Sequence, residues 1–228
     1  MAALFELDGD RFVPTALSRG PWDPGFLHGG PVAMLAGRAM EASPSPVDMR
    51  VVRLTVEFFR PIPLAPLTVQ VRQIRPGKRV QLLDATITGP DGDAARATGL
   101  RIRKTPTDVP SEVEVPPTPG PEHLAPWARS WAEQLDAFHS RGVEIRPVDG
   151  STGTLSPGLV WIRAQVPIVE GEELTPLARA LAAADFPNGV SLRLDPSRYL
   201  SINPELTVHL HREPEGEWVH LAARTGVD

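Results

Sequence analysis

The sequence predicts an α+β chain in which one unit occurs twice, a buried helix covered by a curved antiparallel sheet. Three observations predict it. Residues 31–42 and 175–185 begin with helix-start signals and are apolar on nearly every face, so each is a buried helix rather than a surface one. The segments that follow are β-branched and alternate with period two. The two stretches also repeat one another in the same order.

Residues 4–7 and 11–15 read as short strands about the turn Asp8-Gly9-Asp10. Residues 19–30 are too rich in Gly and Pro for regular structure. Pro31 suits a first helical turn, and Val32, Ala33, Met34, Leu35, Ala36, Ala39 and Met40 leave little polar surface up to Ala42. Residues 42–48 form a Ser/Pro loop. Strands are expected at 51–59, with Val52, Leu54, Val56 and Phe58 on one face, then at 67–74, 80–88 and 94–103, joined by turns at 75–78 and 89–92. A first unit therefore occupies residues 1–104.

Residues 105–126, dominated by proline and acidic side chains, read as a semi-extended linker. A second unit spans 127–228: a helix over 127–141, a strand over 159–167, the second buried helix, and strands at 206–212 and 218–224. Thr175 is a good N-cap, Pro176 fits the first helical position, and Pro187 with Asn188-Gly189 stops the helix.

Composition narrows the function classes. At 228 residues and 41% hydrophobic content the chain can bury a core. A net charge of −5 argues against a nucleic-acid partner. With no cysteine there is neither disulfide nor thiol chemistry. No apolar run is long enough to span a membrane, and Glu6 and Asp8 interrupt any secretory leader, so a cytoplasmic protein is expected.

Leu54-Thr55-Val56 and Arg60 fall in register with Leu206-Thr207-Val208 and Arg212, 152 residues on. Pro31 matches Pro176, and Arg75-Pro76-Gly77 matches Arg224-Thr225-Gly226. The second unit then stops about two strands short of the first, so the expectation is a continuation past Asp228.

Asp185 closes the second buried helix. Arg179, six residues back, is not beside it, so the carboxylate needs a partner from elsewhere or a task. The repeat aligns Asp185 with Met40, so one copy carries a hydrophobe where the other carries a charge. Gly29 and Gly30, after His28, offer helix-start amides that no side chain screens, as a carbonyl-binding site requires. His28 reads either as packing at the helix start or as a functional group. His209, His211 and His220 read as a polar strand face rather than metal ligands. Arg60 and Arg212 read as strand-end charges, and Trp127 and Trp131 as core.

Gly29-Gly30-Pro31-Val32, the strand 55–61, the turn 75–77, Ala184-Asp185-Phe186 and the strand 207–212 together resemble the acyl-CoA thioesterase II type of the thioesterase superfamily, over essentially the whole chain. The resemblance implies a double hotdog fold and hydrolysis of an acyl-CoA thioester with no cofactor. It implies that Asp185 holds the attacking water, with Asn203, or Thr207 if the register slips, in the strand position, and with a Gln beyond Asp228. His28, Gly29 and Gly30 would bind substrate. Two alternatives stand beside it. One is a non-catalytic acyl-CoA or acyl-chain binding module. The other is an enoyl-CoA hydratase of the same fold, using Asp23 and His28 as an acid/base pair. Exposed sheet edges point to a homo-oligomer, a dimer or larger.

Overall fold

A computed structural model describes residues 2–106, 118–127, 136–148, 158–195 and 198–226. Helix α1 spans Gly29–Ala42 and begins two residues before Pro31, because His28 serves as its N-cap. Helix α2 spans Pro176–Ala184, and Thr175 Oγ1 caps it by accepting from the Ala178 amide at 3.1 Å. Asp185 is the C-cap of α2. Pro187 does not simply end helical structure there: it occupies the first position of a further turn, α3 (Pro187–Val190), as its fixed φ allows.

The two buried helices run antiparallel. Gly29 lies against Asp185 at one end, Gly37 against Leu177 and Leu181 in the middle, and Glu41 accepts a 2.7 Å hydrogen bond from Thr175 at the other. A Cβ on Gly37 would come within 2.6 Å of Leu181, so the close helix approach depends on its absence.

The strands are β1 (Phe5–Asp8), β2 (Arg11–Pro14), β3 (Met49–Phe58), β4 (Thr68–Arg75), β5 (Val80–Gly89), β6 (Gly92–Arg103), β7 (Val143–Pro147), β8 (Gly158–Ala164), β9 (Glu205–His209) and β10 (Trp218–Ala223). They form a β1-β2 hairpin, a five-stranded sheet ordered β4-β5-β6-β3-β9 and a three-stranded sheet ordered β10-β8-β7. One expectation needs correcting at β3. A bulge between Val51 and Arg53 shifts the alternation, so Val51, Leu54 and Val56 are buried while Val52 is only half-buried.

The repeat has a direct structural expression. β3 pairs antiparallel with β9 through Leu54–Val208, Thr55–Thr207 and Val56–Leu206. Each residue thus faces the counterpart of its mirror neighbour, and Thr55 meets its own counterpart Thr207 on a local twofold axis. In the first unit β3 and β4 are separated by β6 and β5, whereas their counterparts β9 and β10 lie in different sheets. Among the described residues no strand pairs with the second edge of β9 or of β10.

One hydrophobic core runs through both units, from Leu4 and Phe5 through Met34, Leu35 and Leu54 to Phe138, Ile162 and Leu181. The amides of Leu4 and Phe5 donate to Pro167 and Ile168, tying the first unit to the second. Most of the helix expected over 127–141 lies outside the described residues, as do Trp131 and positions 107–117 of the linker. Phe138–Gly142 forms a π-turn leading into β7, a strand the sequence pattern did not reveal. Trp127 packs against the core. The end of the linker is pinned down: Trp161 Nε1 donates to the Pro119 carbonyl at 3.0 Å and Arg146 to that of Pro121 at 2.8 Å.

Candidate active site

The antiparallel helix pair brings the start of α1 to the end of α2. The loop before α1 is fixed by backbone bonds from Leu27 to Ile62 (2.8 Å) and from His28 to Ser18 (2.9 Å). These set His28 as the cap, with its ring packed against Phe138 and Phe186, each 5.1 Å away centroid to centroid. Its Nδ1 lies 2.8 Å from Asp185 Oδ2, and only 8% of the His28 side chain and 7% of that of Asp185 remain exposed. Asn203 Nδ2 donates to Asp185 Oδ1 at 2.7 Å. The Asn203 segment is held by the Phe58 amide, which donates to the Pro204 carbonyl at 2.9 Å, and the Phe58 ring closes over Gly29.

Nδ1 of His28 is also 3.1 Å from the Gly30 amide nitrogen, and one ring nitrogen cannot both donate and accept. The charge on Asp185 decides the matter. A buried carboxylate needs donors, so Nδ1 carries the proton and the Gly30 N–H also serves Asp185. Burial alone would push the Asp185 carboxyl up. The Coulombic pull of the His28 ring, hydrogen bonds from His28 and Asn203, and the Gly30 amide outweigh burial and hold it below the ordinary carboxylate value. Gly29, as the first helical residue, has no intrahelical acceptor for its N–H and is less buried than Gly30.

The structure therefore gathers Asp185, Asn203, His28, Gly29 and Gly30 in one place. It does not bring Thr207 there. Leu54 and Val56 point to the core, so Thr55 and its partner Thr207 lie on the opposite face of the sheet, where Thr207 Oγ1 bonds Thr55 at 3.0 Å and Glu205 at 2.6 Å. Asp23 is exposed, accepts from the Gly25 amide at 2.7 Å, and makes no hydrogen bond or ion pair with His28. His209 and His220 belong to different sheets, and His220, set against Trp161, has its imidazole pKa lowered by burial. Arg60 donates to the Asp91 carbonyl and Arg212 to Glu215, so these two charges do not share a task.

Residues 18–102 match the acyl-CoA thioesterase N-terminal domain, and residues 106–227 match the acyl-CoA thioesterase C-terminal domain. The chain belongs to the acyl-CoA thioesterase family. No curated protein matches the sequence. Among solved structures, this acyl-CoA thioesterase family member is similar to a hot dog fold protein of unknown function from Alicyclobacillus acidocaldarius, at 19% identity and a TM-score of 0.69 over 92% of this chain and 77% of that one. A candidate thioesterase from Novosphingobium aromaticivorans gives 20% and 0.67 over 96% and 84%. A candidate thioesterase II from Thermobifida fusca gives 18% and 0.69 over 95% and 80%. These likenesses establish the fold, a double hotdog, in which one end of the helix pair carries the buried His28–Asp185 contact.

The sequence singled out every one of these polar groups but not their pairing. Its only pointer to His28 as the partner of Asp185 is the repeat itself, since a twofold relation between the buried helices places the start of one beside the end of the other.

Proposed function

We propose that the protein hydrolyses acyl-CoA thioesters to the free acid and coenzyme A. The observation that carries this reading is the His28–Asp185–Asn203 cluster at the start of α1, in a chain of the thioesterase family. Hydrolysis needs a water made basic and donors for the oxyanion that forms at the carbonyl. Asp185 is the source of the basicity, and Asn203 fixes the carboxylate while its own carbonyl oxygen stays available to a water. The Gly29 N–H, at the positive end of α1, is the oxyanion donor, and the missing side chain lets Asp185 sit close against it. Gly30 serves the cluster instead, its N–H being spent on Asp185.

The test is Asp185→Asn in the full chain, assayed by thiol release from short, medium and long acyl-CoA. The expected result is a loss of at least about 100-fold in kcat with the cooperative thermal transition retained. Undiminished hydrolysis in a folded variant overturns the reading. Stabilisation by acyl-CoA without thiol release at any chain length favours a binding module instead.

A further inference from the structure

We propose that His28 Nε2 takes the proton from the attacking water and that Asp185 acts through the imidazole ring. This rests on the hydrolysis reading above and names the atom that performs its central step.

Both carboxylate oxygens of Asp185 are already engaged, Oδ2 by His28 and Oδ1 by Asn203, and the Gly30 amide adds a third donor. A carboxylate so satisfied is a weak proton acceptor. The contact with Asp185 puts the ring proton on Nδ1 and leaves the lone pair on Nε2. Nε2 has no hydrogen-bond partner among the described residues, yet it is not among the buried polar atoms left without one, so it is the part of the ring that solvent reaches. Phe138 and Phe186, in contact with one another, pack together against the ring, which restricts its rotation and so the direction of that lone pair. Asp185 is the one described ion-pair partner of His28, and the two phenylalanine rings packed against it bring no charge. His28 also precedes Gly29 directly, so the proton acceptor and the oxyanion donor stand on neighbouring residues.

The step balances. The water oxygen bonds to the thioester carbon as its proton passes to Nε2, and the carbonyl π pair moves to oxygen, facing the Gly29 N–H. Asp185 stabilises the imidazolium. The oxyanion pair then re-forms the carbonyl, the carbon–sulfur bond breaks, and Nε2–H returns its proton to the coenzyme A sulfur. The products are a carboxylic acid and a thiol, and His28 is neutral again.

His28→Asn tests this, because the Asn amide keeps a donor to Asp185 but has nothing in place of Nε2. The expected result is a kcat lowered about 100-fold with KM within about threefold. His28→Gln, whose longer amide also keeps a donor but no Nε2, is the second variant, and whichever of the two retains the cooperative thermal transition decides the matter. A kcat within about threefold of the parent in a folded variant overturns the proposal. Loss in Asp185→Asn with activity kept in His28→Asn removes His28 as the base and leaves the hydrolysis reading standing. Activity kept in both overturns both.

Discussion

The two ends of the α1–α2 pair are related by the internal repeat and have opposite characters. At the Asp185 end a carboxylate and an imidazole are buried beside Phe58, Phe138 and Phe186, with the half-buried Asn203 amide bonded to the carboxylate. At the other end Asp185 is replaced by Met40, fully buried, whose sulfur fills the space left by Gly99. The charges there are turned outward: Arg38 forms a two-pronged pair with Glu172, Lys104 meets Glu213 at 3.2 Å, and Glu41 takes the Thr175 hydroxyl. The carbonyls that end α1 are met by the buried guanidinium of Arg101, which donates to Ser43 and Pro44 at 2.8 Å each and whose burial lowers its pKa. A duplicated fold offers two equivalent places for a site. This chain has desolvated reactive groups at one and sealed the other with a thioether.

The largest expected effect that would break this contrast is at Gly29. A Cβ there would lie 2.6 Å from Asp185 Oδ2 and 3.1 Å from the Phe58 ring, inside van der Waals contact on both sides. Gly29→Ala should therefore lower kcat/KM by about 100-fold or more while costing modest stability, since alanine itself favours a helix. Thioester hydrolysis at the parent rate in Gly29→Ala would mean that the close fit of Gly29 against Asp185 is not part of the site.

Gly99→Ala probes the sealed end. The new methyl would fall 2.3 Å from Met40 Sδ, in a core with no slack, so a loss of about 1–3 kcal/mol is expected from chemical denaturation. Met40→Ala in the same chain should recover part of that loss, because it vacates the space. kcat should be unchanged in both, and a drop in kcat would show that the two ends are coupled.

The contrast was half legible in the sequence. Apolar periodicity located both buried helices, and the mismatch between Asp185 and Met40 marked one copy as special. Thr207 misled because strand periodicity is silent about which face turns inward until the partner strand is known, and pairing with Thr55 turns it outward. β7 was hidden because Glu144, Arg146 and Pro147 leave only Val143 and Ile145 as an apolar alternation over five residues. In the fold those charges lie on the outer side of β7, where Glu144 bonds both Arg146 and Arg163, and both guanidinium groups stack on Trp218. The bond between His28 and Asp185 joins residues 157 positions apart, and no local pattern encodes a contact at that range.

The smallest expected effect has opposite sign at the two ends. Asp185 has its folded pKa depressed, so it contributes stability that is present above its unfolded value, about 3.9, and is lost as pH falls through the folded one. Glu41 is raised, by burial first and by Glu213, against the Thr175 bond and Lys104. Its contribution is present below an unfolded value of about 4.3 and is lost as pH rises through the folded one, so ionised Glu41 costs stability at neutral pH. Only the carboxyl is partly desolvated, beside Thr175; Glu41 as a residue is exposed, which screens the effect to about a few tenths of a kcal/mol. Glu41→Gln keeps an oxygen for Thr175 and should be slightly more stable than the parent at pH 7, with the gain vanishing below about pH 4. Asp185→Asn should be less stable than the parent at pH 7, with its deficit shrinking over the same acid range. Urea unfolding at both pH values checks the pair. If the two variants shift in the same direction at neutral pH, the two helix ends do not differ in the electrostatic sense that separates a working site from a sealed one.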